Sequence, residues 1–180
     1  LKEQNKKIVY RVFSSPQSQS LLTESDRSKY LQAPEETDQR VLDLVNDFNR
    51  PNWSNEEKAN KLMTFYQRQF RYTLNPGAMK TEKLGEFLFE KKVGFCEHFA
   101  VSFASLMRLA EVPSRVVVGF QGGQKNPMSN FYLITSRDAH AWTEIWSDEK
   151  KRWLRFDPTV MVAPLRMELG GAVFHSLSES

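Results

Sequence analysis

The chain has a single cysteine, Cys96, in 180 residues, so no disulfide within it can hold the fold. That scarcity leaves the compartment open, because extracytoplasmic proteins also do without disulfides. Histidines are scarce too: His98, His140 and His175 are far apart, and together with Cys96 they do not make metal-ligand spacing. Asp148-Glu149 lies in a lysine-rich turn that lacks the donor pattern of a calcium loop. We therefore expect no metal and no cofactor. Neither charge sign dominates: 25 Lys and Arg against 22 Asp and Glu leave a formal +3. The basic residues are spread rather than clustered, which argues against nucleic acid as a partner. No apolar run approaches the length of a membrane span, and the sequence contains no signal peptide. With Leu1 first and a polar, Ser-rich end, it reads as a piece of a longer protein.

What is present is enough sequence to bury one core, as one domain with an arm. The lone cysteine opens the most apolar helical pattern in the chain. After Cys96, apolar residues recur at Phe99, Phe103, Leu106, Met107 and Ala110, a stripe of period 3.6. Val93 and Gly94 lie outside that pattern, so the helix starts at about Cys96. Its thiol would then sit among the unpaired N–H groups and partial positive charge of a helix N-terminus, which favour thiolate. The Cys96 N–H could also donate to an oxyanion. A free cysteine is more often a small buried hydrophobe, so the catalytic reading needs a base and a group to orient it.

In chain order, residues 1–33 are polar and read as an extended N-terminal arm, with a short strand candidate at Ile8-Val9-Tyr10-Arg11-Val12-Phe13 and a loop from Ser14 to Ser20. Pro34 with Glu35-Glu36 suits the first turn of a helix whose buried face is Val41, Leu44, Val45 and Phe48. Ser54 and Glu57 form a capping box for the next helix, with Ala59, Leu62, Met63, Tyr66 and Phe70 inward. A short strand over 70–74 ends at Asn75-Pro76-Gly77, and a further helix is expected over 81–90, burying Leu84, Phe87 and Leu88. Beyond the cysteine helix the pattern becomes extended, with strands expected at 115–120, 131–135, 139–146 and 152–157. Helices first and antiparallel strands after give an α+β fold. Residues 34–169 form the expected domain, and 170–180 a polar tail that leaves His175 in solvent.

The period-2 rule puts His140, Trp142, Glu144 and Trp146 on one face of the third strand, and Trp153, Arg155 and Asp157 on one face of the fourth. Pairing Trp146 with Lys151 sets His140 opposite Asp157. A register two residues longer makes Asp157 the diagonal neighbour instead. In both, the two side chains share a face, roughly 5 to 8 Å apart at Cβ. Cys96 as nucleophile, His140 as base and Asp157 as orienter would make an acyl-transfer triad.

Other residues have two readings each. Tyr72 is a second oxyanion donor through its hydroxyl or a half-buried aromatic on a short strand. Trp142 is a wall beside the base or ordinary packing. His98 projects about 200° from Cys96 around the helix, which suits a structural role or a contact behind the site better than the site rim. Glu97, in the first turn, suits the helix dipole.

Four stretches carry a family resemblance: Gly94-Phe95-Cys96-Glu97-His98-Phe99-Ala100, Ala110-Glu111-Val112-Pro113-Ser114-Arg115-Val116, Asp138-Ala139-His140-Ala141-Trp142-Thr143-Glu144 and Phe156-Asp157-Pro158-Thr159. Together they resemble the transglutaminase-like superfamily, with its papain-like Cys-His-Asp core. Gly119-Phe120-Gln121-Gly122-Gly123 and Val162-Ala163-Pro164-Leu165-Arg166 extend the resemblance to the membrane-anchored bacterial protein-glutamine gamma-glutamyltransferases, over about residues 27–169. The resemblance implies a papain-like α+β fold with the nucleophile helix on an antiparallel sheet. It carries over Cys96 as nucleophile, His140 as base and Asp157 as orienter. It also implies a periplasmic domain of a bacterial inner-membrane protein, tethered by flanking membrane segments outside this chain, acting on protein or peptide glutamines and amines. A cysteine protease or amidase working on peptide or cell-envelope substrates would use the same triad. A catalytically idle domain binding peptide or glycan is the third reading.

Overall fold

The computed structural model describes residues 21–36, 38–76 and 84–169. The expectations for the strand at 8–13, the loop that follows it, the start of the helix at 81, the tail and His175 lie outside them.

Thr23 opens the first element by accepting the Asp26 N–H at 3.1 Å. Part of the segment expected to be extended is therefore a short helix, α1 (Glu24–Tyr30). None of its residues is buried, so no apolar periodicity announced it. The second helix, α2 (Gln39–Phe48), begins after the expected Pro34 start. Glu36 accepts the Asp38 N–H and Asp38 accepts the Arg40 N–H, which caps the helix at Asp38 instead. Helix α3 (Asn55–Gln69) has the full capping box between Ser54 and Glu57. It buries Ala59, Leu62 and Tyr66.

Two residues of the strand expected at 70–74 form β1 (Arg71–Tyr72), which pairs in parallel with β2 (Val93–Gly94). Between them a π-helical turn, Glu86–Lys91, buries Phe87 and Leu88 and ends at Lys92, whose φ of 52° swings the chain into β2. Helix α4 (Cys96–Leu109) follows one residue later.

The main sheet is antiparallel, in the order β3 (Ser114–Phe120), β6 (Ala139–Ser147), β7 (Arg152–Phe156). The strand expected at 131–135 does not join it. Gly122 and Gly123, both at positive φ, lead the chain out of β3, and a turn over 126–130, closed by Asn126 N–H donating to Phe131 O, pairs β4 (Gln124–Lys125) with β5 (Tyr132–Leu133) as a separate hairpin. β6 already has a partner on each side. Two short helices, α5 (Pro158–Val162) and α6 (Pro164–Leu169), close the described chain.

The core lies between α3, α4, the π-turn and one face of the sheet. Tyr66, Phe70, Phe87, Phe99 and Phe103 form an aromatic cluster, and Phe103 stacks on Phe156 of β7. Buried hydroxyls fix the layers: Tyr66 and Ser102 share a 2.7 Å hydrogen bond, Ser114 donates to Ala104 O, and Thr143 donates to Ala100 O at 2.8 Å. The last bond ties β6 to the first turns of α4, where Cys96 lies.

Candidate active site

The backbone before Cys96 is held straight by sheet pairing. Arg71 N–H donates to Lys92 O and Thr73 N–H donates to Gly94 O at 2.8 Å, and Phe95 is still extended. Helical geometry begins at Cys96, so its N–H lies in the first turn of α4, at the positive end of the helix dipole. Gly94 has no room for a side chain: a Cβ there would lie 2.9 Å from His98 Cβ and 3.2 Å from Phe87 Cε2. Beneath the thiol, Cys96 and Ala100 pack on Ala141 of β6, with Val116 of β3 against them.

β6 and β7 pair in the longer of the two expected registers, with Trp146 opposite Trp153 and Thr143 opposite Phe156. Asp157 is therefore the diagonal neighbour of His140, and the contact is made: His140 Nε2 lies 2.7 Å from Asp157 Oδ2. Both side chains are almost wholly buried, at 0 % and 4 % exposure. The other ring nitrogen, Nδ1, is buried without a hydrogen-bond partner among the described residues. Burial opposes a charge on His140, but Asp157 and Cys96 together outweigh it and raise its pKa above the ordinary histidine value. Burial likewise pushes Asp157 up, and the His140 and Arg155 contacts overcome this to hold its carboxyl below the usual range. The remaining Asp157 oxygen accepts the Thr159 N–H at the start of α5.

Trp142 lies beside the base, its ring nearly parallel to His140 at 6.2 Å. Arg155 covers the same indole at 4.4 Å and donates from Nη2 to Asp157 Oδ2 at 2.9 Å. It also donates to Gln121 Oε1. Sequence reasoning placed Arg155 on the Asp157 face and assigned it nothing. The signal was there, since residues two apart on a strand share a face.

Tyr72 and His98 stand differently. β1 sets Tyr72 opposite Gly94, and its ring stacks on Phe99 at 6.4 Å. His98 stacks on Phe87 and accepts the Phe95 N–H through Nδ1 at 3.4 Å, so it braces the start of the nucleophile helix. Burial lowers its pKa, with Glu97 acting against that shift and Lys91 adding to it. Among the described residues no cluster of His, Cys, Asp and Glu has the geometry to hold a metal.

A curated relative, the protein-glutamine gamma-glutamyltransferase of Pseudomonas aeruginosa, is 38% identical over 167 residues, covering 91% of this chain and 25% of that protein. The uncharacterized Bacillus subtilis protein YebA is 30% identical over 145 residues, covering 76% of this chain and 19% of its own length. The chain thus spans about a quarter or less of the curated relatives it matches. Among solved structures, the periplasmic domain of TgpA from Pseudomonas aeruginosa superposes with a TM-score of 0.78 at 36% identity, over 84% of this chain and 53% of that one. The sequence profile of the Transglutaminase-like superfamily matches residues 43–158, a span that runs from α2 through Cys96 and His140 to Asp157, and the chain therefore belongs to that superfamily.

Proposed function

We propose that the chain is the catalytic domain of a cysteine acyltransferase of transglutaminase type, the periplasmic part of a bacterial inner-membrane protein. The observation that carries this reading is the buried His140–Asp157 pair at 2.7 Å, on a strand whose next residue, Ala141, packs against Cys96 at the start of α4. The kinship with a protein-glutamine gamma-glutamyltransferase supplies the acyl donor.

In this reading the Cys96 thiolate, stabilised by the helix start and the His140 imidazolium, attacks the carbonyl carbon of a glutamine side-chain amide. The oxyanion takes the Cys96 N–H, with Tyr72 as the candidate second donor. The C–N bond breaks, His140 gives its proton to the leaving nitrogen, and ammonia departs from a thioester. A primary amine, such as a lysine side chain, then attacks the thioester while His140 takes its proton. The isopeptide leaves and the thiolate is restored. Asp157 holds the imidazole tautomer throughout and stabilises its charged form. Water in place of the amine yields glutamate. The substrates are protein or peptide glutamines and amines. The reading calls for no metal, cofactor or nucleic acid, and the membrane enters through segments outside this chain.

The test is incorporation of a labelled primary amine into a glutamine-rich protein by the purified domain, with ammonia followed in parallel and Cys96→Ala alongside. Incorporation that disappears in Cys96→Ala is the expected result. Ammonia without incorporation would make the domain a deamidase. Neither signal would return it to the protease and idle-binding readings.

A further inference from the structure

The sheet face that carries the nucleophile helix continues beyond it. On β3, Val116 packs against Cys96 and Ala100. The next residues on that face are Val118 and Phe120, because alternate residues share a face. The pairing agrees: Val118 is opposite Ala141, which itself packs on Cys96, and Phe120 is opposite Ala139. Gly119, between them, points the other way, under the Trp142 ring, where a Cβ would come within 3.0 Å of Cη2.

Helix α4 covers this face only from Cys96 onward. Past its start, Val118 and Phe120 are 78 % and 60 % exposed. Exposed apolar residues are ordinary when scattered. Here they continue one strip of sheet that starts under the reactive sulfur, with the β4–β5 hairpin following directly after it in the chain. The hairpin is rooted beside the base: Gln121 N–H donates to Asp138 O, and Asp138 accepts the Thr135 N–H and hydroxyl, two residues before His140.

We infer that Val118 and Phe120 form an apolar subsite of the acyl-donor polypeptide, one that takes an aliphatic or aromatic side chain flanking the residue attacked by Cys96. The inference rests on the acyl-transfer reading above and adds to it a preference in the donor. The occupant follows from position. A polypeptide whose glutamine reaches Cys96 must lay its neighbouring residues on the surface next to the thiol, and on the β3 side that surface is hydrocarbon. A flanking Leu or Phe removes its own apolar area and that of Val118 and Phe120 from water, whereas a flanking Ser or Asp gains nothing there.

The probes are blocked peptides carrying one glutamine flanked on both sides by Leu, Phe, Ser or Asp. The first readout is protection of Cys96 from iodoacetamide, which needs binding and no turnover. Peptides flanked by Leu or Phe should protect at about tenfold lower concentration than those flanked by Ser or Asp, as partial burial of one such side chain implies. In Val118→Asp and Phe120→Asp that ratio, taken within each variant, should fall to near one. Both positions are exposed, so neither change opens a core cavity, and thermal unfolding checks the fold. Equal protection by all four peptides, or a ratio that survives both substitutions, overturns the subsite. Ammonia release and amine incorporation from the same peptides are read separately. Selective protection without either product would sink the transglutaminase reading and leave the subsite standing.

Discussion

At the scale of single residues, Asp157 is the most heavily engaged group in the site. Its Oδ2 serves both His140 and Arg155, and its Oδ1 takes a backbone N–H. The sign of each shift sets a pH limit. His140 is raised, so its contribution to stability is complete below the unfolded histidine value and is lost as pH rises through its folded pKa. Asp157 is lowered, so its contribution is complete above the unfolded carboxylate value and is lost as pH falls through its folded pKa. Arg155 helps hold Asp157 down, yet its side chain is 42 % exposed, so solvent screens part of the effect. We predict that Arg155→Met, which keeps the stem over Trp142 and removes the charge, moves the acid limb of Cys96 alkylation up by about 0.5 to 1 pH unit. Arg155→Lys should restore most of that shift. A uniform loss of rate with no shift in the Met variant would mean that Arg155 only packs. That Cys96 opens a helix and that His140 and Asp157 share a face was legible, because helix starts and strand alternation depend on sequence spacing. For Arg155 the face was legible and the role was not, because which acceptor a long side chain reaches depends on its rotamer.

At the scale of elements, the pieces that could be read were those with a repeating signature: the capping box of α3, the 3.6-residue stripe of α4, and the alternation along β6 and β7. The pieces that could not were short or non-local. The two-residue parallel pairing of β1 with β2 has no periodicity of its own, and the π-turn between the two strands follows no common repeat. Yet this unit sets where α4 begins, and Gly94 is its tightest point. A methyl group at Gly94 would press on His98 Cβ and Phe87, and the former is fixed close to the α4 backbone. We predict that Gly94→Ala lowers stability by about 1–3 kcal/mol, the usual range for overpacking, and slows Cys96 alkylation at neutral pH by shifting the helix start. Denaturant unfolding and the alkylation rate check the two effects. An unchanged rate would show that the thiol's reactivity does not depend on where β2 holds the chain. His98 gives a companion prediction. Its folded pKa is lowered, so the bracing bond to Phe95 contributes fully above the unfolded histidine value and fades as pH falls toward the folded one. His98→Ala should therefore flatten the stability profile over that interval.

At the scale of the whole molecule, the open question is where the folding unit starts. Pro34 marked an expected domain boundary, with everything before it an arm. The described residues before it are tied down: Tyr30 packs edge-on against Trp153 at 4.9 Å, Arg27 pairs with Asp148 at 3.2 Å, and Gln32 O accepts from Arg108 Nη1. Trp153 in turn lies under Arg115, whose guanidinium holds Glu144, the residue whose Oε1 is 3.5 Å from the Trp142 indole nitrogen. The anchor of α1 is thus continuous, across the outer face of the sheet, with the wall of the site. The Arg27 ion pair is partly solvated and contributes little. The aromatic contact is worth about 1 kcal/mol beyond the area it buries. We predict that a chain beginning at residue 34 folds but melts roughly 3–6 °C below one beginning at residue 21, as a loss of about 1–2 kcal/mol implies for a domain of this size. Its tryptophan emission should shift to the red as Trp153 meets water. Equal melting temperatures would place the boundary at 34 and make α1 an ornament of the fold. A lower one would make it part of the support for the base.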